Sequence, residues 1–272
     1  MKFWMVACLA LWSASAWAAD VVVESISGTG SVELRSAGKN TIAQEGDSVG
    51  SGGHVVTGDA VAVRLLYPNG THLTLSARTD LEVHSPETGA PSGALLQGSI
   101  SVAVPKTVAP AQRKFFIKTT SAVMGVRGTE FVVDHDAKTE RTELHTTEGS
   151  VEVGKTDKDF ESGKLARVDA LHHLVAEKAG LGPVAKFDHA EFAKHRAERH
   201  ALAHALQATK LRSKDEIAER RKQHGGRPGQ EADRHKDREH GKERDHGKDR
   251  ADRPDRERRD HSEKRERPGR RE

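Results

Sequence analysis

The residues of this chain best suited to chemistry are its histidines and one acid–histidine–acid run. Sixteen histidines are present. Asp134-His135-Asp136 sets an imidazole between two carboxylates, the types that a general base and its orienting group require. Immediate neighbours on a strand point to opposite faces, so these three do not converge. The run also sits just before Lys138–Arg141, where a hairpin turn is expected. No nucleophile elbow, HExxH, P-loop or GxGxxG accompanies it, and no enzymatic activity is expected. A second set, His189, His195, His200 and His204, falls in a stretch of helical spacing. His200 and His204, at i and i+4, are the candidate ligands for zinc, nickel or copper. A structural site wants four ligands, and beyond these two only Glu198, His195 or the distant tail could add to them. The pair therefore reads first as polar surface on an alanine-rich helix, with no cofactor expected.

The stretch SAVMGVRGTEFVV, residues 121–133, poses a different question. It reads as a strand, yet Gly125, Arg127 and Gly128 interrupt its apolar run. Glycine weakens a strand interior, and a buried arginine must find a partner or reach water. Gly125 and Gly128 allow a bulge or the close approach of another strand. Arg127, with five donors, is expected to lace the carbonyls of a neighbouring turn. Thr129 and Phe131 return the chain to ordinary alternation. Gly125, Arg127, Gly128 and Thr129 are thus read as structural.

The elements that position these residues follow from periodicity. From residue 20 to about 155, turn signals recur every 8–12 residues: Glu45-Gly46-Asp47, Thr57-Gly58-Asp59, Pro68-Asn69-Gly70, Gln97-Gly98 and Glu148-Gly149. Between them apolar residues alternate, as in Val61, Val63, Leu65 and Tyr67, or Ile100, Val102 and Val104. Period-two alternation with regular turns predicts an all-β main domain of many short strands, a sandwich or β-helix-like roll. Pro68-Asn69-Gly70 predicts a hairpin turn between two such runs. Residues 156–186 read as a connecting segment. Over 187–222 the signals become helical. Asp188 is an N-cap with Glu191 at N3, and Phe187 and Phe192 stand at N′ and N4, a capping box with a hydrophobic staple. One helix is expected through Ala193, Ala197, Ala201 and Leu206, and Ser213 with Glu216 starts another.

The two ends differ from this body. Residues 1–18 carry Lys2, an apolar run from Phe3 to Trp12 and an Ala16-Trp17-Ala18 cleavage site, which together read as a signal peptide. The run is too short for a membrane span. All three tryptophans and the single cysteine lie within it, so the exported chain has no disulfide or thiolate site. From residue 223 to 272 the chain mixes charges of both signs with Gly, Pro and His, a composition expected to stay disordered. With a net charge of only +3 over 272 residues and few aromatics, no nucleic-acid partner is expected. The interleaved acids limit the tail to weak electrostatic contact with anionic surfaces.

The sequence from Gly30 to Val153 resembles the FecR domain family. The resemblance runs through Glu45-Gly46-Asp47-Ser48-Val49, Val55-Val56-Thr57-Gly58, Leu96-Gln97-Gly98-Ser99-Ile100, Val126-Arg127-Gly128-Thr129-Glu130-Phe131 and Thr147-Glu148-Gly149-Ser150-Val151. It implies a periplasmic β-structured module at residues 19–155. The best-known members are sensors with a cytoplasmic anti-sigma segment and one transmembrane helix, and here a cleavable leader is expected in their place. The resulting expectation is a non-enzymatic periplasmic binding or scaffold module that recognises an envelope protein or a cell-wall component. The alternatives are a histidine-rich metal-handling protein and an accessory regulator of envelope signalling.

Overall fold

The computed structural model describes residues 20–86, 89–106 and 115–223. Residues 1–19, which hold the segment read as a leader, and the charged tail after Gln223 lie outside these residues. In chain order the first strands are β1 (Val21–Gly28), β2 (Val32–Ser36), β3 (Lys39–Ile42), β4 (Ser48–Val49), β5 (His54–Thr57), β6 (Val61–Leu66), β7 (His72–Leu75), β8 (Asp80–His84) and β9 (Ser92–Ala103). There follow β10 (Phe115–Lys118), β11 (Val123–Val126), β12 (Glu130–Asp136), β13 (Arg141–Glu148), β14 (Ser150–Gly154), β15 (Ala166–Asp169), β16 (His172–Glu177), β17 (Gly180–Leu181) and β18 (Ala185–Lys186). The helices are α1 (Asp157–Ser162), α2 (His189–Arg199), α3 (Ala201–Gln207) and α4 (Lys214–Gln223).

The strands build two sheets. Sheet I pairs β4, β1, β6, β7, the second half of β9, β12, β13 and β16 in that order, with β17 and β18 on β16. Sheet II pairs β3, β2, β5, β8, the first half of β9, β10, β11, β14 and β15. Among the described residues only the β9–β10 pairing is parallel. The chain passes repeatedly from one sheet to the other, and β9 belongs to both. It changes sheet at Gly98, which takes φ +103 with Thr79 packed where a Cβ would stand. Alternating residues of both sheets meet in one apolar core, including Val63, Leu65, Leu75, Leu81, Leu95, Ile100, Ile117, Met124, Phe131, Leu144, Val151 and Leu174. The all-β reading holds. The hairpin at Pro68-Asn69-Gly70 also holds: Gly70 adopts φ +81 and donates its N–H to the Tyr67 carbonyl at 2.9 Å.

Two expectations need correction. The β structure does not stop near residue 155. β15 extends sheet II from β14, and β16 extends sheet I from β13, so the segment read as a connection contributes Val168, Leu174 and Ala176 to the core. Its strands are too short and too polar on their outer face to stand out from a loop in sequence. The long helix expected through Leu206 is also two helices. His200 takes φ −132 and ψ 44, ending α2 and starting α3. The break lets each half follow the sheet beneath it. The predicted caps are present: Asp188 accepts from the Glu191 N–H at 2.9 Å, Phe187 meets Phe192 edge-on at 5.0 Å, and Ser213 and Glu216 bond reciprocally. Among the described residues no helix is long and apolar enough to cross a membrane.

Candidate functional site

The signature Gly125-Val126-Arg127-Gly128-Thr129 is a corner, where the chain leaves β11 in sheet II and enters β12 in sheet I. Gly128 turns it with φ +63, and a Cβ there would lie 3.1 Å from the Cα of Lys106. The Thr129 hydroxyl is buried and lies 3.0 Å from the Ser150 carbonyl and 3.1 Å from that of Arg127, bracing this corner against the next one. At that next corner Gly149 takes φ +76, with Gly128's carbonyl 2.9 Å from where its Cβ would be. Gly128 and Thr129 thus both stand in the turn of this corner.

Arg127 does not lace carbonyls as expected. Its side chain is exposed and makes no hydrogen bond or ion pair among the described residues. The reason is its place in the chain. Met124 and Val126 point into the core, so Gly125 belongs to the outer face of sheet II, and Arg127 follows one residue past the strand, at the exposed corner. On the adjoining strands Val151, Val153 and Val168 point inward, which puts Ser150, Glu152 and Arg167 on that same outer face. Gly125 stands opposite Glu152, and Glu152 opposite Arg167. Together Gly125, Arg127, Ser150, Glu152 and Arg167 line a recess of about 290 Å³. Arg167 is committed through its Nε to Asp169 at 2.7 Å. Beside the glycine, on β10, Phe116 forms a half-buried aromatic shoulder that meets Phe160 edge-on at 5.6 Å.

The outer face of sheet I is arranged differently, because α2–α4 cover it. A β-bulge between Val23 and Ser25 makes Glu24 the extra residue of β1 and turns its side chain towards Arg64. The fully buried Glu24 carboxylate accepts from Arg64 Nη1 at 3.2 Å, His72 Nδ1 at 2.7 Å and the Arg212 N–H at 2.9 Å. Burial alone would raise its pKa, but the His72 and Arg212 hydrogen bonds and the His72 and Arg64 charges outweigh this and hold it below the ordinary range. Arg64 also donates to the Thr209 hydroxyl at 2.9 Å, and Arg212 to the Glu24 carbonyl and to Glu45. Further along, buried Arg196 donates to Ser99 and Ser101. Ile217 fills the gap between Val22 and Leu66, and burying a side chain of that size stabilises by about 2 kcal/mol. Ala203 and Leu206 pack on Ala62.

The histidines are distributed rather than gathered. His135 is buried at the end of the core, 2.9 Å from the Thr142 hydroxyl, and burial lowers its pKa. His145 stacks on Phe192 at 4.3 Å, with Phe187 edge-on to it. Burial, His173, Arg196 and Arg199 together overcome Asp134 and push its pKa down to about 4. His200 faces Asp134 at 3.8 Å. His204 instead lines a cleft of about 570 Å³ between α2–α3 and sheet I, with Glu130, Phe131, Glu148 and Phe192. The helix break sends the two candidate ligands to different surroundings. Among the described residues no group of three His, Cys, Asp or Glu is placed to hold a metal ion. Sequence reasoning missed Glu24, Arg64, Arg196 and Arg212. A charged residue inside an apolar strand, such as Glu24 after Val21-Val22-Val23, was the one signal that pointed to them.

The two-sheet body with its glycine corners defines a class, a β module whose chain passes repeatedly between two sheets. Residues 53–152 match the sequence profile of the FecR protein family, and they form a FecR domain. No curated protein matches the sequence. Two crystal structures of a candidate anti-sigma factor from Parabacteroides distasonis are similar. One is 18% identical with a TM-score of 0.41, covering 50% of this chain and 59% of that one. The other is 17% identical with a TM-score of 0.43, covering 53% and 64%. The chain thus matches less than two thirds of the length of either neighbour.

Proposed function

We propose that this protein is a non-enzymatic binding module of the FecR type that works in the periplasm, where its β body recognises a protein of the cell envelope. The observation that carries this reading is Arg127. It is the charged residue of the Val-Arg-Gly-Thr signature, it sits on a corner with Gly128 and Thr129, and its exposed side chain has no partner among the described residues. Most other charges near the core, Glu24, Arg64 and Arg196 among them, are taken up by internal contacts. A rigid, unpaired arginine on a folded scaffold suits recognition of another molecule. Export rests on the leader read from residues 1–18, and in this reading residues 187–222 serve the scaffold while the tail acts as a spacer.

Proximity crosslinking in the native periplasm, with the full chain as bait and mass spectrometry as readout, tests the proposal. One envelope protein enriched with the wild type, and lost when exposed β-body residues are replaced, supports it. Enrichment of nothing, or only of wall fragments, overturns it.

A further inference from the structure

We infer that the recess around Arg127 is a carboxylate-binding subsite that reads an Asp or Glu side chain of a protein partner. This deepens, and rests on, the binding-module reading above.

Gly125 leaves the outer face of sheet II without a side chain between Phe116 and Glu152, its neighbours across the sheet. The resulting space, about 290 Å³, suits a short side chain and excludes a folded surface. At its edge stands Arg127, whose planar guanidinium presents paired N–H donors matched to the two oxygens of a carboxylate. Ser150 supplies a hydroxyl on the same wall. Because Gly128 and Thr129 fix the corner, little backbone ordering remains when a ligand arrives. Among the described residues no carboxylate fills this role: Asp169 holds Arg167, and no acidic side chain reaches Arg127.

Geometry separates the ligand classes. The flat two-oxygen edge of a carboxylate matches the paired N–H donors of one guanidinium, whereas a phosphate presents further oxygens that this recess, with Arg167 committed to Asp169, leaves short of donors. Phe116, packed against Phe160, adds an apolar surface beside Gly125. Aromatic residues and arginine are the types that dominate protein–protein contacts. Together these favour an acidic side chain flanked by an apolar one over a free inorganic anion or a wall sugar.

The test is an NMR titration of the full chain with the peptide acetyl-Glu-Leu-Glu-amide, following the Gly125 and Ser150 amides and the Arg127 Nε–H. A saturable change confined to these groups is expected. It should vanish in Arg127→Gln, and it should weaken about tenfold in Arg127→Lys, which keeps the charge but loses the fork. It should be absent with acetyl-Gln-Leu-Gln-amide. Arg127 is exposed, so both variants should melt like the wild type, and equal melting temperatures make loss of response specific. A response that survives Arg127→Gln, equals that of the glutamine peptide, or is exceeded by inorganic phosphate or by free diaminopimelate overturns the inference. The two proposals fail separately. A periplasmic partner captured equally by wild type and Arg127→Gln sinks the carboxylate site alone, whereas a wild type that captures no protein sinks the binding module.

Discussion

At Gly128 a positive φ and a crowded neighbour act together. A methyl there would stand 3.0 Å from Lys106 Cγ and 3.1 Å from its Cα, on a backbone at φ +63. Backbone strain of this kind costs about 1–3 kcal/mol, so Gly128→Ala should lower the unfolding free energy by that amount, read as a lower urea midpoint at unchanged m-value. Arg127→Ala, on an exposed side chain one residue away, should leave the unfolding free energy within about 0.5 kcal/mol of the wild type. A second residue-level consequence concerns acid. His145 is neutral in the fold, with its pKa depressed from 6.5 to about 4 by burial first and by neighbouring positive charge second. A base whose folded pKa is depressed binds its proton more readily when unfolded. Its contribution is complete above about pH 6.5 and is lost as the pH falls towards 4. His135 and His200, also lowered by burial, act in the same direction. Thermal melts from pH 7.5 to 4 should show falling stability over this window, and His145→Phe should flatten the slope. A slope unchanged in that variant would remove His145 as its source.

At the scale of elements, the helices are held by a latch of charges rather than by a broad apolar stripe. The Glu24–Arg64–His72–Arg212 network lies where α3 gives way to α4, against a bulge in β1. Breaking one member of a buried pair leaves its partner charged and unsatisfied, which costs about 3–5 kcal/mol, whereas replacing both by apolar groups is often neutral. Glu24→Gln should therefore destabilise strongly and speed amide exchange over residues 201–217. Glu24→Leu combined with Arg64→Met should recover most of the loss. A double variant no better than the single one would show that the network stabilises the helices directly rather than specifying where they sit.

For the whole molecule, the strands run on to Lys186 rather than ending near residue 155. β15 and β16 cover the outer strands of both sheets and place Val168, Leu174 and Ala176 in the shared core. A chain ending at Lys186 should keep a cooperative melt and a β-type circular dichroism spectrum at reduced stability, because the covering helices are gone. A chain ending at Lys155 should lose cooperative unfolding. A cooperative melt for the shorter chain would mean that the FecR domain matched over residues 53–152 needs no support from the strands that follow it.

By itself the sequence determined what short-range physics encodes. Alternation marked β6 and β9, Pro68-Asn69-Gly70 marked a hairpin, Asp188 and Ser213 marked two helix starts, and Gly128 marked a backbone that only glycine takes comfortably. Each of these is decided within a few residues by side-chain period, φ preference or capping. Tertiary structure alone decided which sheet each strand joins, because a period of two is the same in both sheets. It decided that α2 breaks at His200, since the break answers to the surface beneath it rather than to local propensity. It left Arg127 exposed, because whether an arginine in an apolar run is buried depends on where its strand ends and the corner begins. It also joined Glu24 to Arg212, 188 positions apart, a contact that no local pattern encodes.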